Sequence, residues 1–210
     1  MAETEQLSRL FDAERTARNL HRSLAALGAG ELVPLLRTAF ADAQKQEPEE
    51  AALRYVRIAP LLQGAQGPEA VDLLIDILGI DLPEARLAAG ESLEGVAFER
   101  FKEVALGVER AFGRLPEDSP ALTELPYLLA EVAEPGCVKL LGRFLKAGRA
   151  EVVASAIEAL VEMGDPTAIP LLEPLAGDAR RVELDDEDDD VTIGALATEA
   201  CELLHEEEEE

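Results

Sequence analysis

The side chains able to do chemistry in this 210-residue chain are few, and they are spaced badly for it. His21 and His205 stand far apart among helix-face residues, and neither has a second His or Cys at metal-ligand spacing, so both read as surface histidines. Cys137 and Cys201 lie 64 positions apart beside small apolar residues and read as core packing, with the thiols reduced. Adjacent acids such as Glu49 and Glu50 are ordinary on a solvated helix and do not single out a general acid and base. No glycine-rich phosphate loop is present. The expectation is a chain with no catalytic residue, no metal site and no cofactor.

Charge is the stronger signal. Glu183, Asp185, Asp186, Glu187, Asp188, Asp189 and Asp190 place seven acids in eight residues, and five more close the chain at positions 206–210. Such a run can lure a basic partner or hold a cation loosely, or it can be a solvated loop whose like charges keep it extended. A calcium loop of the EF-hand kind does not fit. Counted from Asp185, the sixth position must be Gly and the twelfth Glu, and here they are Asp190 and Leu196. In the whole chain 44 acids face 19 bases, a formal charge of -25 that repels phosphate backbones and anionic head groups. We therefore expect neither nucleic acid nor membrane as partner, and a protein, with a basic one among the candidates. The acidic opening and the lack of an apolar h-region after it point to a cytoplasmic setting.

The elements that would position such surfaces all read as helices. Leu7, Leu10, Phe11, Ala17, Leu20, Leu24 and Leu27 recur at spacings of three, four or multiples of them, the mark of one apolar helical face, and Gly28 and Gly30 punctuate its end. Further helical stretches are expected at about 49–63, 68–78, 84–96, 98–112, 121–133, 135–146, 151–163, 166–176 and 191–205, with no strand anywhere. Pro68, Pro135 and Pro166 each stand at a first helical position, where a missing N–H is harmless, and Asp165 is a natural N-cap. Pro170 and Pro174 should leave the helix after Pro166 short or distorted.

These junctions carry an internal repeat. Pro-x-small-β-branched-x-Leu-Leu begins at Pro68, Pro135 and Pro166, with a looser copy at Gly30, and the separations are 38, 67 and 31 residues. The middle interval is two repeats, with a degenerate unit in the 98–112 helix. A period of this size with two helices per unit is that of stacked helical hairpins. Ala154-Ser-Ala-Ile-Glu-Ala-Leu160, Gly164-Asp-Pro166 and Ala168-Ile-Pro-Leu-Leu172 resemble one unit of the HEAT family, in the short bacterial variety named after the phycobilisome lyases. The resemblance is good over 150–176, fair over 67–95 and 135–147, and weak elsewhere. It implies an all-α fold, a right-handed α-solenoid of about five hairpins and an unpaired last helix, in one domain over residues 1–205 with an acidic tail at 206–210. It also implies a binding scaffold, since fold alone assigns no reaction.

If the second helix of each hairpin lines the binding side, the variable motif positions and those four residues on share one stripe: Pro34 and Thr38, Asp72 and Asp76, Lys139 and Arg143, Pro170 and Pro174. Asp72, Asp76, Lys139 and Arg143, with Asp185, Asp186, Glu187, Asp188, Asp189 and Asp190 of the acidic run, are thus the expected partner contacts. The functional expectation is a non-enzymatic protein-binding scaffold. Two alternatives stand beside it, an acidic protein that masks a basic partner and, from the resemblance, a bilin-lyase-like enzyme.

Overall fold

The computed structural model describes residues 2–183 and 191–208, and the chain there is an α-solenoid. Helices α1 (Ala2–Ala25), α3 (Pro48–Gln63), α5 (Pro83–Arg114), α6 (Ala121–Val132), α8 (Ala150–Met163) and α10 (Ile193–Glu208) alternate with the shorter α2 (Ala29–Ala43), α4 (Pro68–Leu78), α7 (Cys137–Phe144) and α9 (Ile169–Leu172). One row stacks α3, the first arm of α5, α6, α8 and α10, with α1 beside α3; a second row stacks α2, α4, the second arm of α5, α7 and α9. The apolar core runs between the rows, and Leu62, Leu74, Leu93, Leu125, Leu141 and Leu160 are completely buried in it.

Several departures from the sequence expectations have physical reasons. Helix α2 is an element that spacing alone had marked only as a loose motif copy. It holds Pro34 inside the helix and buries Leu32, Val33 and Leu36 against α3. The stretches 84–96 and 98–112 are the two arms of α5, which meet without a loop at a kink at Arg100, whose φ of -145° and ψ of 48° turn the second arm back along α4. The Arg100 guanidinium donates to the carbonyls of Gln63 (2.9 Å) and Ala65 (3.3 Å), bringing a cation to the C-terminal end of α3 where the helix dipole favours it. Gly107 lets the second arm touch α4, since a Cβ there would stand 2.4 Å from Val71 Cγ1. The expectation of no strands is corrected by a two-residue antiparallel ribbon, β1 (Arg181–Val182) with β2 (Val191–Thr192), which closes the base of the acidic insertion. A ribbon so short has no alternation for a sequence pattern to reveal.

Other expectations hold in the coordinates. Asp165 caps the turn it precedes by accepting from the Thr167 N–H at 2.9 Å and its hydroxyl at 2.6 Å. The stretch after Pro166 is a 3₁₀ turn, a four-residue α9 and a second 3₁₀ turn (Glu173–Leu175), as Pro170 and Pro174 require. Gly164, at φ 60°, ends α8 in the left-handed conformation that Gly adopts without strain. Residues 178–180, after α9, are held by Arg180. Its guanidinium lies on Asp178 and donates to the carbonyls of Ala147 and Gly148 at 2.8 and 2.9 Å, which ties them to the turn between α7 and α8.

Candidate functional site

The stripe expected on the second row is there, but three of its four charges, Asp72, Asp76 and Arg143, are paired along the stack. Asp72 of α4 receives a two-pronged bond from Arg110 of α5, at 2.8–3.2 Å, and Asp76 pairs with Arg114 one turn further on. Arg37 of α2 reaches Glu69 of α4 at 3.1 Å. Arg143 of α7 reaches Glu109 of α5 at 3.2 Å while its guanidinium lies 5.5 Å above the Phe112 ring. These pairs form an ionic ladder from one second-row helix to the next. Each is partly solvated and adds about 0–1 kcal/mol, so the ladder sets register more than stability. Lys139 is exposed and makes no ion pair among the described residues. Asp185, Asp186, Glu187, Asp188, Asp189 and Asp190 lie outside the described residues.

Around Lys139 and Arg143 the second row opens into a groove of about 780 Å³ between α7 and α9. Lys139 and Arg143 of α7 and Lys146 just beyond it line the groove together with the acids Glu134 and Asp165, a balance of three bases to two, while Val138, Met163, Pro170 and Leu171 supply apolar surface. Gly142 narrows its floor, because Leu171 packs directly on the backbone there.

The first row carries a groove of opposite sign that the sequence stripe does not contain. It measures about 580 Å³ and runs between the first arm of α5 and α6, closed at one end by Glu162 of α8. Its apolar centre is Leu87 and Tyr127, which are 66% and 40% exposed, backed by Leu128 and Pro83. Glu91, Glu94, Glu124, Glu131 and Glu162 surround that centre, against the single base Arg86, which is itself held between Asp81 (3.6 Å) and Glu124 (3.7 Å). The Tyr127 hydroxyl donates to Glu158 of α8, which anchors the phenol end while the side chain lines the groove. Burial, reinforced by that bond, pushes the Tyr127 pKa up to about 12, and the group stays a neutral donor at every working pH. Residues 87, 91 and 94 share a helix face by i, i+4 and i+7 spacing, a signal present in the sequence. Their meeting with Tyr127, a whole helix away, is not.

Among the described residues no three His, Cys, Asp or Glu side chains stand where they could hold a metal ion. Cys137 is fully buried and burial raises its pKa, which makes its thiol a packing group. His205 contacts the Cys201 carbonyl on its own helix, and His21 is half-buried against α3. No helix among the described residues is long and apolar enough to cross a membrane.

Residues 127–198, from α6 to α10, match the family model for HEAT repeats. No curated protein matches the chain. Among solved structures the chain is similar to human deoxyhypusine hydroxylase in complex with glycerol, at 18% identity over 92% of this chain and 79% of that one, with a TM-score of 0.43. It is also similar to an engineered protein, at 19% identity over 92% and 90% with a TM-score of 0.38. A third is a computationally designed armadillo repeat protein for modular peptide recognition, at 14% identity over 91% and 92% with a TM-score of 0.35.

Proposed function

We propose that the chain is a non-enzymatic adaptor whose first-row groove takes a basic segment of a protein partner. The observation that carries this reading is an exposed apolar pair, Leu87 and Tyr127, ringed by five glutamates on a rigid helical wall. Aromatic residues in such a setting are the usual anchors of an interface. A guanidinium or ammonium laid over the Tyr127 ring gains a cation–π contact, with carboxylates of the rim within reach of its N–H groups. An apolar residue beside it fills the space over Leu87. The net charge of -25 adds long-range attraction and speeds encounter, an effect that salt weakens.

The groove at Lys139, Arg143 and Lys146 supports a second contact, with an acidic stretch of a partner, because its sign is opposite to that of the chain as a whole. The two readings separate in one experiment. Random peptides displayed on phage are selected on the intact chain, and the winners are titrated against variants. Peptides rich in Arg or Lys with one apolar anchor, weakened ~10-fold or more by Glu91→Lys with Glu94→Lys and by Tyr127→Ala, support the first-row groove. Acidic peptides lost with Lys139→Glu and Arg143→Glu would move recognition to the second row. Winners indifferent to both sets would sink both grooves.

A further inference from the structure

The first-row groove is not uniform along its length. The first arm of α5, α6 and α8 run parallel there, since Arg86 meets Glu124 and Tyr127 meets Glu158 while residues 94, 131 and 162 gather at one end. At the other end Pro83 and Leu87 are apolar, and Glu124 is offset by Arg86. The carboxylates of Glu91, Glu94, Glu131 and Glu162 have neither an ion pair nor a hydrogen bond among the described residues. Glu131 and Glu162 stand in the last turns of α6 and α8, and neither turn carries a base. Negative charge there opposes the helix dipole, so these glutamates work against the helices that bear them, and a cation laid between them relieves both.

Between the two ends lies Gly90. It follows Leu87 by three residues and precedes Glu94 by four, on one face of α5, and a Cβ there would meet only Leu78 Cδ1, at 4.0 Å. Glycine inside a helix is unfavourable relative to alanine, and here no neighbour requires it. Its missing side chain leaves open floor midway along the groove, where a main chain can lie against α5. Along the helix axis Glu91 and Glu94 stand about 6 and 10.5 Å from Leu87, and Glu131 about 6 Å from Tyr127. An extended chain advances about 3.3 Å per residue, so it covers those distances in two and three residues, with alternate side chains reaching opposite walls. A helix needs four and seven. Width decides between them: over the roughly 16 Å from Pro83 to Glu94, the 580 Å³ groove averages about 36 Å² in cross-section, under half the ~80 Å² of an α-helix.

We infer that the groove takes its partner as an extended strand of fixed register, an inference that rests on the reading of this groove as the site of a basic segment. An apolar residue sits over Leu87 and Tyr127, and the main chain crosses Gly90. Arg or Lys two and three residues from the apolar one then lie between Glu91 and Glu94 on one wall and Glu131 and Glu162 on the other.

Calorimetric titration of the intact chain at about 150 mM salt, which screens general attraction to the acidic surface, tests the register. The probes are capped peptides with one leucine and two arginines. In two of them, in a Gly-Ser host, the arginines stand two and three residues after the leucine or before it. In a third, in a helix-forming Ala host, they stand four and seven residues away. The better of the first two should bind ~10-fold or more tighter than the third. Glu94→Gln with Glu131→Gln should weaken that complex ~10-fold or more. So should Gly90→Leu, which fills the floor without removing a charge and leaves the melting midpoint unchanged or higher, since Leu favours a helix more than Gly does. Tighter binding of the helical peptide, equal binding of all three, or indifference to Gly90→Leu overturns the extended strand. If Tyr127→Ala still weakens the complexes in those cases, the groove stands as the site of a basic segment; if it does not, both readings fall.

Discussion

The two terminal helices of the array carry the same kind of pattern and meet opposite fates. In α10, Ile193, Ala197, Ala200 and Leu204 recur at four, three and four, and all are buried against α8, α9 and the turn after it. In α1, Leu10, Ala13, Ala17, Leu20 and Leu24 recur at three, four, three and four, and the three leucines stay 39–62% exposed. The C-terminal end is further fastened by backbone and side-chain bonds: the Gly194 N–H donates to the Asp178 carbonyl, Ile193 to that of Arg180, and Arg180 in turn to the turn between α7 and α8. At the N-terminal end α1 has only its flank on α3. The difference teaches that spacing declares an apolar face but leaves open what will cover it, since burial requires a neighbour at the right distance and angle.

The largest expected effect breaks the comparison most directly. Leu160→Ala, in the core between α8 and its neighbours, should cost about 2–5 kcal/mol, whereas Leu20→Ala in α1 should change stability by less than ~0.5 kcal/mol. Paired denaturant melts measure both; equal losses would mean that α1 is packed after all. Next comes Gly194→Ala. A Cβ there would stand 2.6 Å from the Ala176 carbonyl oxygen, so the start of α10 must shift, at about 1–3 kcal/mol. Hydrogen exchange should show that loss in α10 and not in α1. Arg180→Ala removes two charged hydrogen bonds to the turn between α7 and α8 and should lower stability by about 1–2 kcal/mol, seen as a lower melting midpoint with α1 exchange unaltered.

The smallest effect is one of pH. Asp165 is held below the usual carboxylate range by the bonds from Thr167, and Asp178 by its bonds from Arg180. A group with a depressed folded pKa stabilises fully above its unfolded value, about 3.9, and loses that contribution as pH falls through the lower folded value. Asp165→Ala should therefore cost about 0.5–2 kcal/mol near neutral pH, by a margin that shrinks as pH falls below about 3.9 and the wild type loses the same interaction. Melting both chains across that range checks the sign; a gap that widens toward acid would refute the assignment.

Much of the architecture was legible in the residues. Helices α3, α4, α6 and α8 follow from local spacing, α4 also from Pro68 at its first position, and the recurrence at Pro68, Pro135 and Pro166 declares the stack, though α7 starts only at Cys137, two residues past Pro135. The distorted α9 follows from its prolines, because a missing N–H acts within one turn. The grooves were not legible in the same way. Lys139 and Arg143 could be placed on one face, but that Asp72 and Asp76 are spent on Arg110 and Arg114 depends on how α4 and α5 lie together, 38 residues apart in the chain.

By itself, then, the sequence determined what is local: the all-α content, the repeat period, the caps, the charge of -25 and the apolar faces of the helices. These rest on interactions three or four residues long, which the chain makes wherever it goes. Only the tertiary structure decided which face meets which. It set the kink between the two arms of α5 at Arg100, brought Leu87 and Tyr127 into one acidic groove, paired Asp72, Asp76 and Arg143 along the second row and left the leucines of α1 bare. Such outcomes are set by the offset between successive hairpins, and that offset is a property of packed neighbours, to which spacing along one helix is blind.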